Sequence, residues 1–177
     1  LHRLLAGIAL ACLAQIARAE MAPSVNLIGN VGLIDMPSAE VQPDGEMTLN
    51  TSRMGPIFRF GIRFQLSPRL SGTFRYIGIH DWNAWTDNRD GVNKFDTYYD
   101  RNFDISYQIL TEGPRRPALT IGLIDFAGTG INSGEYIVAT KTFAGRLKLT
   151  AGLGFGRLGS YNPIFSIGTR PKVDVEE

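Results

Sequence analysis

The chain has 177 residues, with 18 Lys+Arg set against 17 Asp+Glu. So even a balance leaves no electrostatic footprint for nucleic acid, and no such partner is expected. Twenty glycines stand beside 10 Phe and 6 Tyr in a sequence that is 44% hydrophobic, a pairing that favours strands over helices.

The first stretch, "LHRLLAGIALACLAQIARAE", has a basic start at Arg3, an apolar run from Leu4 to Ile16, and small residues at Ala17 and Ala19. That is the pattern of a secretory signal, and the run is too short to span a bilayer. Residues 1–19 are therefore read as a signal peptide cleaved after Ala19. A competing reading makes Cys12, after "IALA", a lipid-bearing cysteine. Cleavage after Ala19 would remove the only cysteine, so no disulfide, thiol nucleophile or CxxC metal site is expected.

Residues 20–45 read as an N-terminal segment ahead of the first strand. Beyond them the sequence alternates. In "FRFGIRFQL", Phe58, Phe60, Ile62, Phe64 and Leu66 fall on one face, and Arg59, Gly61, Arg63 and Gln65 on the other. "NFDISYQIL" and "RLKLTAGLGF" repeat the pattern. Seven strands are predicted near 46–54, 57–66, 70–79, 102–110, 118–125, 135–143 and 146–155, with an eighth near 161–168. The fold class is all-β: an antiparallel up-and-down transmembrane β-barrel over 46–168, followed by a polar tail at 169–177.

Length supports the membrane reading. Most runs are about 8 to 10 residues, close to what a tilted strand needs to cross the hydrocarbon core. The polar face carries charge where a sandwich would need apolar filling. The turns give a second argument. If the first strand starts on the periplasmic side, the turns 67–69, 111–117 and 144–145 are periplasmic. The long loop 80–101 and the bend 127–134 are then external, on the side where such barrels carry longer loops. Loop 55–56 is short, so the agreement is partial.

The stretch "GLIDFAGTGINSGEYIVATK", Gly122 to Lys141, resembles a phosphate cradle at first sight. A P-loop needs G-x-x-x-x-G-K-[ST] leading into a helix. Here Gly128, Thr129, Gly130 and Gly134 lead into "EYIVATKTF", which alternates as a strand and places Lys141 far from the glycines. The stretch reads as a hairpin whose glycines relax the bend, with Asp125 and Glu135 flanking it.

The same ordered set (G-L-x-D-F-x-G-T-G, S-G-E-Y, V-A-T-K), with "TYYDRNFDISYQILTEGPRRPAL" before it and "LTAGLGFGRLGS" after it, resembles the YjbH family of Gram-negative exopolysaccharide-associated outer-membrane proteins. "NLIGNVGLIDMPSAEVQPDGEMTLN" is also similar to that family's N-terminus. The resemblance covers most of residues 26–160. It implies a β-barrel with a role in making or exporting extracellular polysaccharide. It also makes Asp125, Gly128, Thr129, Gly130, Gly134, Glu135, Tyr136 and Lys141 a family-motif hairpin. Family members are considerably longer, so the chain is expected to be an N-terminal fragment whose barrel is incomplete.

The polar face collects Arg59, Arg63 and, by neighbour register, Arg75, Lys141 and Lys148. These cations suit carboxylate or phosphate groups and would attract an anionic polymer. The alternative is that they pair with Asp104, Asp125 and Glu135 across the lumen and hold the barrel. Trp82 and Trp85, with Tyr98 and Tyr99, are candidates for an interfacial aromatic girdle or for stacking on sugar rings. The polysaccharide-contacting candidates are thus Arg59, Arg63, Arg75, Lys148, Trp82 and Trp85. Asp125 and Glu135 are read as turn caps or a structural pair and not as a glycosidase pair. No catalytic residue, metal or cofactor is expected. The expected partners are outer-membrane lipid, exopolysaccharide and other polysaccharide-secretion proteins. A small periplasmic β-barrel that binds a ligand inside is the alternative function.

Overall fold

A computed structural model describes residues 23–82, 97–145 and 147–159. Two short strands, β1 (Gly32–Leu33) and β2 (Met36–Pro37), form a small hairpin in the N-terminal segment. The main sheet follows: β3 (Met47–Met54), β4 (Ile57–Gln65), β5 (Leu70–His80), β6 (Thr97–Leu110), β7 (Ala118–Ile124), β8 (Gly134–Phe143) and β9 (Leu147–Gly156). Its spatial order is the chain order, and every neighbouring pair is antiparallel. This is the expected up-and-down meander. Each strand lies within about two residues of its predicted limits except β6. That strand begins at Thr97, inside the stretch read as loop 80–101. The expected signal peptide, eighth strand, polar tail and Trp85 lie outside the described residues.

The alternation that builds the strands also sorts their faces. Along β4, Arg59, Gly61, Arg63 and Gln65 are buried, while Phe58 and Phe64 are exposed. On β6, Asp100, Asn102, Asp104, Ser106 and Gln108 are buried, and Tyr99, Phe103 and Tyr107 are exposed. The arrangement is that of a soluble protein turned inside out, with the polar side chains within and the apolar ones outside.

The sheet curls around residues 23–46. Side chains of β3 (Ser52), β4 (Arg63), β5 (Thr73), β6 (Asp104, Gln108), β7 (Thr120), β8 (Thr140) and β9 (Lys148) all bond to that one short segment. Seven strands laid flat would span roughly 29 Å, beyond the reach of one such segment's contacts on a single face. The sheet is therefore a half-barrel with a polar concave face and an apolar convex face. A small apolar cluster, Ile28, Ala39, Ala118, Ile124, Tyr136 and Val138, sits under the segment, with Leu158 packed against it. Among the described residues, the outer edges of β3 and β9 pair with no strand. The tight turn between β8 and β9, at the expected position 144–145, has Ala144 and Gly145 both at positive φ, which matches the twist of the flanking strands.

Candidate functional site: the concave polar face and its N-terminal occupant

The concave face is built from inward positions of every main-sheet strand. At its centre Arg75 pairs with Asp104, both buried. The same carboxylate accepts hydrogen bonds from Asn30 Nδ2 at 2.8 Å and from the Asp125 amide at 2.9 Å. Arg63 Nη1 donates to Asn30 Oδ1 at 3.1 Å and to Thr73 Oγ1 at 3.2 Å. The central cations are therefore engaged with the protein's own oxygens. A buried charge needs such company, because an unpaired one costs several kcal/mol (of order 3–5).

Closer to β9 the N-terminal segment supplies the counter-charges. Arg157 Nη2 lies 2.7 Å from Asp35 Oδ2, and Lys148 Nζ lies 2.6 Å from Glu40 Oε1. Between these acids the Ala39 carbonyl accepts from Gln108 Nε2 and Thr120 Oγ1, and the Ala39 amide donates to Thr140 Oγ1. Arg59 is buried and makes no ion pair among the described residues. It lies within electrostatic reach of Arg157, Asp35 and Arg75. The cationic face expected from the sequence is thus mixed: Asp100, Asp104 and Asp125 are buried there too.

The motif hairpin serves the rim. Asp125 has φ +52, which turns its side chain out of the strand register and buries it. Its Oδ2 accepts the Asn132 amide at 3.1 Å. Asp100 accepts from Thr129 Oγ1 at 2.8 Å and from the Asn132 and Asn102 side-chain amides at 3.1 Å. The Asp125 carboxyl sits above its usual range, first because it is buried and then because Asp100 and Asp104 lie near. Gly128 leaves room for Asp125 and the Arg101 carbonyl, which a Cβ would strike. Gly130 has φ +80 in the bend, and Gly134 pairs with Ile124 and Gly156. Tyr136 lays its ring over its cross-strand neighbour Gly122. The motif positions named from the sequence, Glu135 and Lys141 apart, therefore close a loop and fill a corner.

Two side chains are not where register counting put them. Lys141 shares the parity of Ile137 and Ala139 and lies on the convex side. There it pairs with Glu112 at 2.7 Å and donates to the Gly113 carbonyl. Glu135 has the same parity, so it does not face the lumen and does not oppose Asp125. Of the lumen pairs anticipated for the arginines, Arg75 with Asp104 is present. Trp82 stacks on Tyr98 with ring centroids 4.6 Å apart, at the rim beyond β5. On the convex side Tyr76 stacks on Tyr99, and Arg101 sits over the Tyr76 ring. Below them Phe64, Leu66, Phe74, Phe103, Ile105 and Phe126 line an apolar hollow.

The sequence gives no sign of the docking of residues 26–42, because its contacts are single polar pairs far apart in the chain. Asn30 and Asp104 lie 74 residues apart, and Lys148 and Glu40 lie 108 apart. Arg157 and Asp35, which complete the site, fall in stretches that resemble the family, but nothing in those stretches marks the two as a pair. The only signal was compositional: acids and amides in a segment with no strand period.

The YjbH family model, described as "Exopolysaccharide biosynthesis protein YbjH", matches residues 24–176. The "Uncharacterized lipoprotein YjbH" of Escherichia coli (strain K12) is 33% identical over 157 residues, covering 87% of this chain and 22% of that relative. The chain therefore spans about a fifth of the relative's length. No solved structure matches the chain.

Proposed function

The chain belongs to the YjbH family of exopolysaccharide biosynthesis proteins, and from that premise we propose that it forms part of an outer-membrane β-barrel that conducts or docks an anionic polysaccharide without catalysis. The observation that carries this reading is the inverted packing of the sheet. Leu49, Phe58, Phe64, Phe103, Ile121, Leu149 and Leu153 stand exposed on the convex side, where only an apolar surround would favour them. Arg59, Arg63, Arg75 and Lys148 line the opposite side. A lipid surround also requires closed hydrogen bonding, so the edges of β3 and β9 that pair with no strand among the described residues need further strands. Those strands complete the barrel together with other polysaccharide-secretion proteins or with more of the chain.

Within the site, Arg63 and Arg75 brace the wall, since their partners are Asn30, Thr73 and Asp104. Arg59 and Lys148 are the cations that meet polymer, and Trp82, which lies on Tyr98 at the rim, stacks on sugar, with Trp85 the second aromatic candidate from the sequence. The lipoprotein name of the E. coli relative supports acylation of Cys12 over cleavage after Ala19 as the means of membrane attachment. Intact mass of the exported chain decides between them, as a diacyl- or triacyl-cysteine at position 12 or an unmodified start at Glu20.

The membrane reading is tested by gel mobility and fractionation. Unboiled protein should migrate differently from boiled protein and partition with the outer membrane. Recovery as a water-soluble periplasmic monomer with Phe58 and Phe64 shielded would end it. The polymer reading is tested by replacing Arg59 and Lys148 with Gln. Secreted anionic polymer should fall while barrel insertion persists, and unchanged secretion would discard the charge argument.

A further inference from the structure

The N-terminal segment places a carboxylate against each of two cations beside the open edge of the sheet, Asp35 on Arg157 and Glu40 on Lys148. We infer that these two contacts occupy a binding site for sugar carboxylates, and that the segment is a built-in stand-in which a uronic-acid polysaccharide displaces. The inference rests on the polymer reading above and names the substrate class and the competitor.

Three features make the segment's tip displaceable. The first is accessibility: the Arg157 and Asp35 side chains are 17% and 41% exposed, and those of Lys148 and Glu40 27% and 23%. The central Arg75–Asp104 pair is 1% and 4% exposed. The outer pairs can therefore exchange with solutes, and the central one cannot. The second is backbone strain. Asp35 sits at the turn of the two-rung β1–β2 hairpin, where Ile34 holds φ +53, a conformation that a β-branched residue adopts only when forced. Leu33, Ile34 and Met36 are all exposed, so the tip is not packed down by apolar contact. The third is unused bonding capacity. Asp35 Oδ1 and Arg157 Nη1 are buried without a hydrogen-bond partner. One oxygen meets one nitrogen where a guanidinium can accept a two-pronged carboxylate. A free carboxylate can approach Arg157 square-on, unlike one tethered to a strained turn. It also brings an anion within reach of Arg59, which has no ion pair of its own among the described residues.

The division of labour along the segment follows. Residues 26–30 are anchored through Asn30, whose side chain bonds to Arg63, Thr73 and Asp104 and whose amide donates to Asn26 Oδ1. Ala39 is a second anchor, buried and bonded to Gln108, Thr120 and Thr140. The exchangeable acids are Asp35 on the hairpin tip and the Glu40 side chain just beyond Ala39. Displacement lifts the tip at 33–36 and swings the Glu40 side chain aside, leaving both anchors in place.

The test measures affinity for oligogalacturonate, with a neutral maltodextrin as control, on the chain in detergent micelles. The comparison is between the unaltered protein, the double variant Asp35→Asn with Glu40→Gln, and Arg157→Gln. Removing two partly exposed competing pairs should tighten oligogalacturonate binding roughly fivefold. Arg157→Gln should weaken it, and maltodextrin should bind to none. Equal affinities for the unaltered protein and the double variant would overturn the inference while leaving the polymer reading intact. Absence of binding to all three would overturn both. Should the double variant fail to give a heat-modifiable band, a fluorophore at Leu33 of the otherwise unaltered protein provides the second reading. Its emission should shift on adding oligogalacturonate and stay constant in the Arg157→Gln background. No shift at saturating ligand would overturn the inference.

Discussion

Strands β4 and β9 look alike in sequence and differ in the structure. "IFRFGIRFQ" and "LKLTAGLGFG" both alternate apolar with polar or small residues. On β4 the alternation becomes a burial pattern: Arg59 and Arg63 are buried, and Phe58 and Phe64 are exposed. On β9 no position is fully buried: Lys148, Gly154 and Gly156, of inward parity, are half-buried, while Thr150 and Gly152, of the same parity, are exposed. Periodicity fixes which face a side chain occupies. Burial depends on what lies against that face, and among the described residues β9 has a neighbour on one side only. Near β4 the N-terminal segment fills the concave side with Asn30 and Gln42. At β9 it reaches only Lys148, through Glu40, among the strand's described side chains.

The largest effect should come from breaking the filled side. Asp104→Ala removes the carboxylate that holds Arg75, Asn30 and the Asp125 amide. It leaves a buried guanidinium alone, and about 3–5 kcal/mol of unfolding free energy should be lost in urea titration. The same substitution logic at Lys148, where the pair with Glu40 is partly exposed, should cost at most about 1 kcal/mol. Equal losses at the two sites would mean that the depth contrast between the filled centre of the sheet and β9 is not real.

The next effect tests what the two strands share. Ile62→Arg and Leu153→Arg each put a charge on the convex face. If that face meets hydrocarbon, each should destabilise folding into vesicles by about 2–4 kcal/mol near the bilayer midplane. In detergent-free buffer, a soluble domain would tolerate both with changes within about 0.5 kcal/mol. The contrast separates a membrane face from an exposed soluble one without relying on the concave chemistry.

A smaller effect is expected at the joint between the well-packed half and the open edge. Gly122 pairs with Tyr136, and a Cβ there would collide with the ring. Gly122→Val should push Tyr136 out of the small cluster with Ile28, Ala118, Ile124 and Val138, at a cost of about 1–3 kcal/mol. Unchanged Tyr136 fluorescence and stability would show that the corner is looser than its burial implies.

How much was legible follows the same division. The strands were readable because each alternates locally and is bounded by turn residues such as Ala144–Gly145. The inward direction of Arg59, Arg63 and Lys148 agrees with the alternation along their own strands, and Arg75, assigned by neighbour register, also lies inward. Lys141 did not follow, because its direction was carried over from neighbours; its own strand sets it with Ile137 on the convex side. The sequence places Asp125 at the end of the strand 118–125 and offers it as a lumen partner of the cations; it is buried, but through a φ of +52 just past the strand end at Ile124, which alternation does not encode. The docked segment was the least legible, because no local period encodes Asn30 meeting Asp104.

The smallest expected effect lies at the turn end of the sheet, where Lys141 and Glu112 meet on the convex side. Glu112 accepts from Lys141 Nζ at 2.7 Å, from the Thr142 amide at 2.8 Å and from Thr142 Oγ1 at 3.1 Å. The hydrogen bond from Lys141 holds its carboxyl below the usual glutamate range, with the Thr142 bonds adding to it against the opposing effect of desolvation. A depressed folded value means that the unfolded chain binds the proton more readily. The contribution is therefore complete above the unfolded carboxylate pKa and is lost as pH falls through the depressed folded value. Both side chains are partly exposed, so the loss should stay under about 1 kcal/mol. Comparing urea midpoints of the unaltered chain and Glu112→Gln at pH 7 and in the acid range isolates it. The difference between the two proteins should shrink as pH is lowered. A difference that grows with acidity would mean that Glu112 is braced by something other than its ionised pair with Lys141.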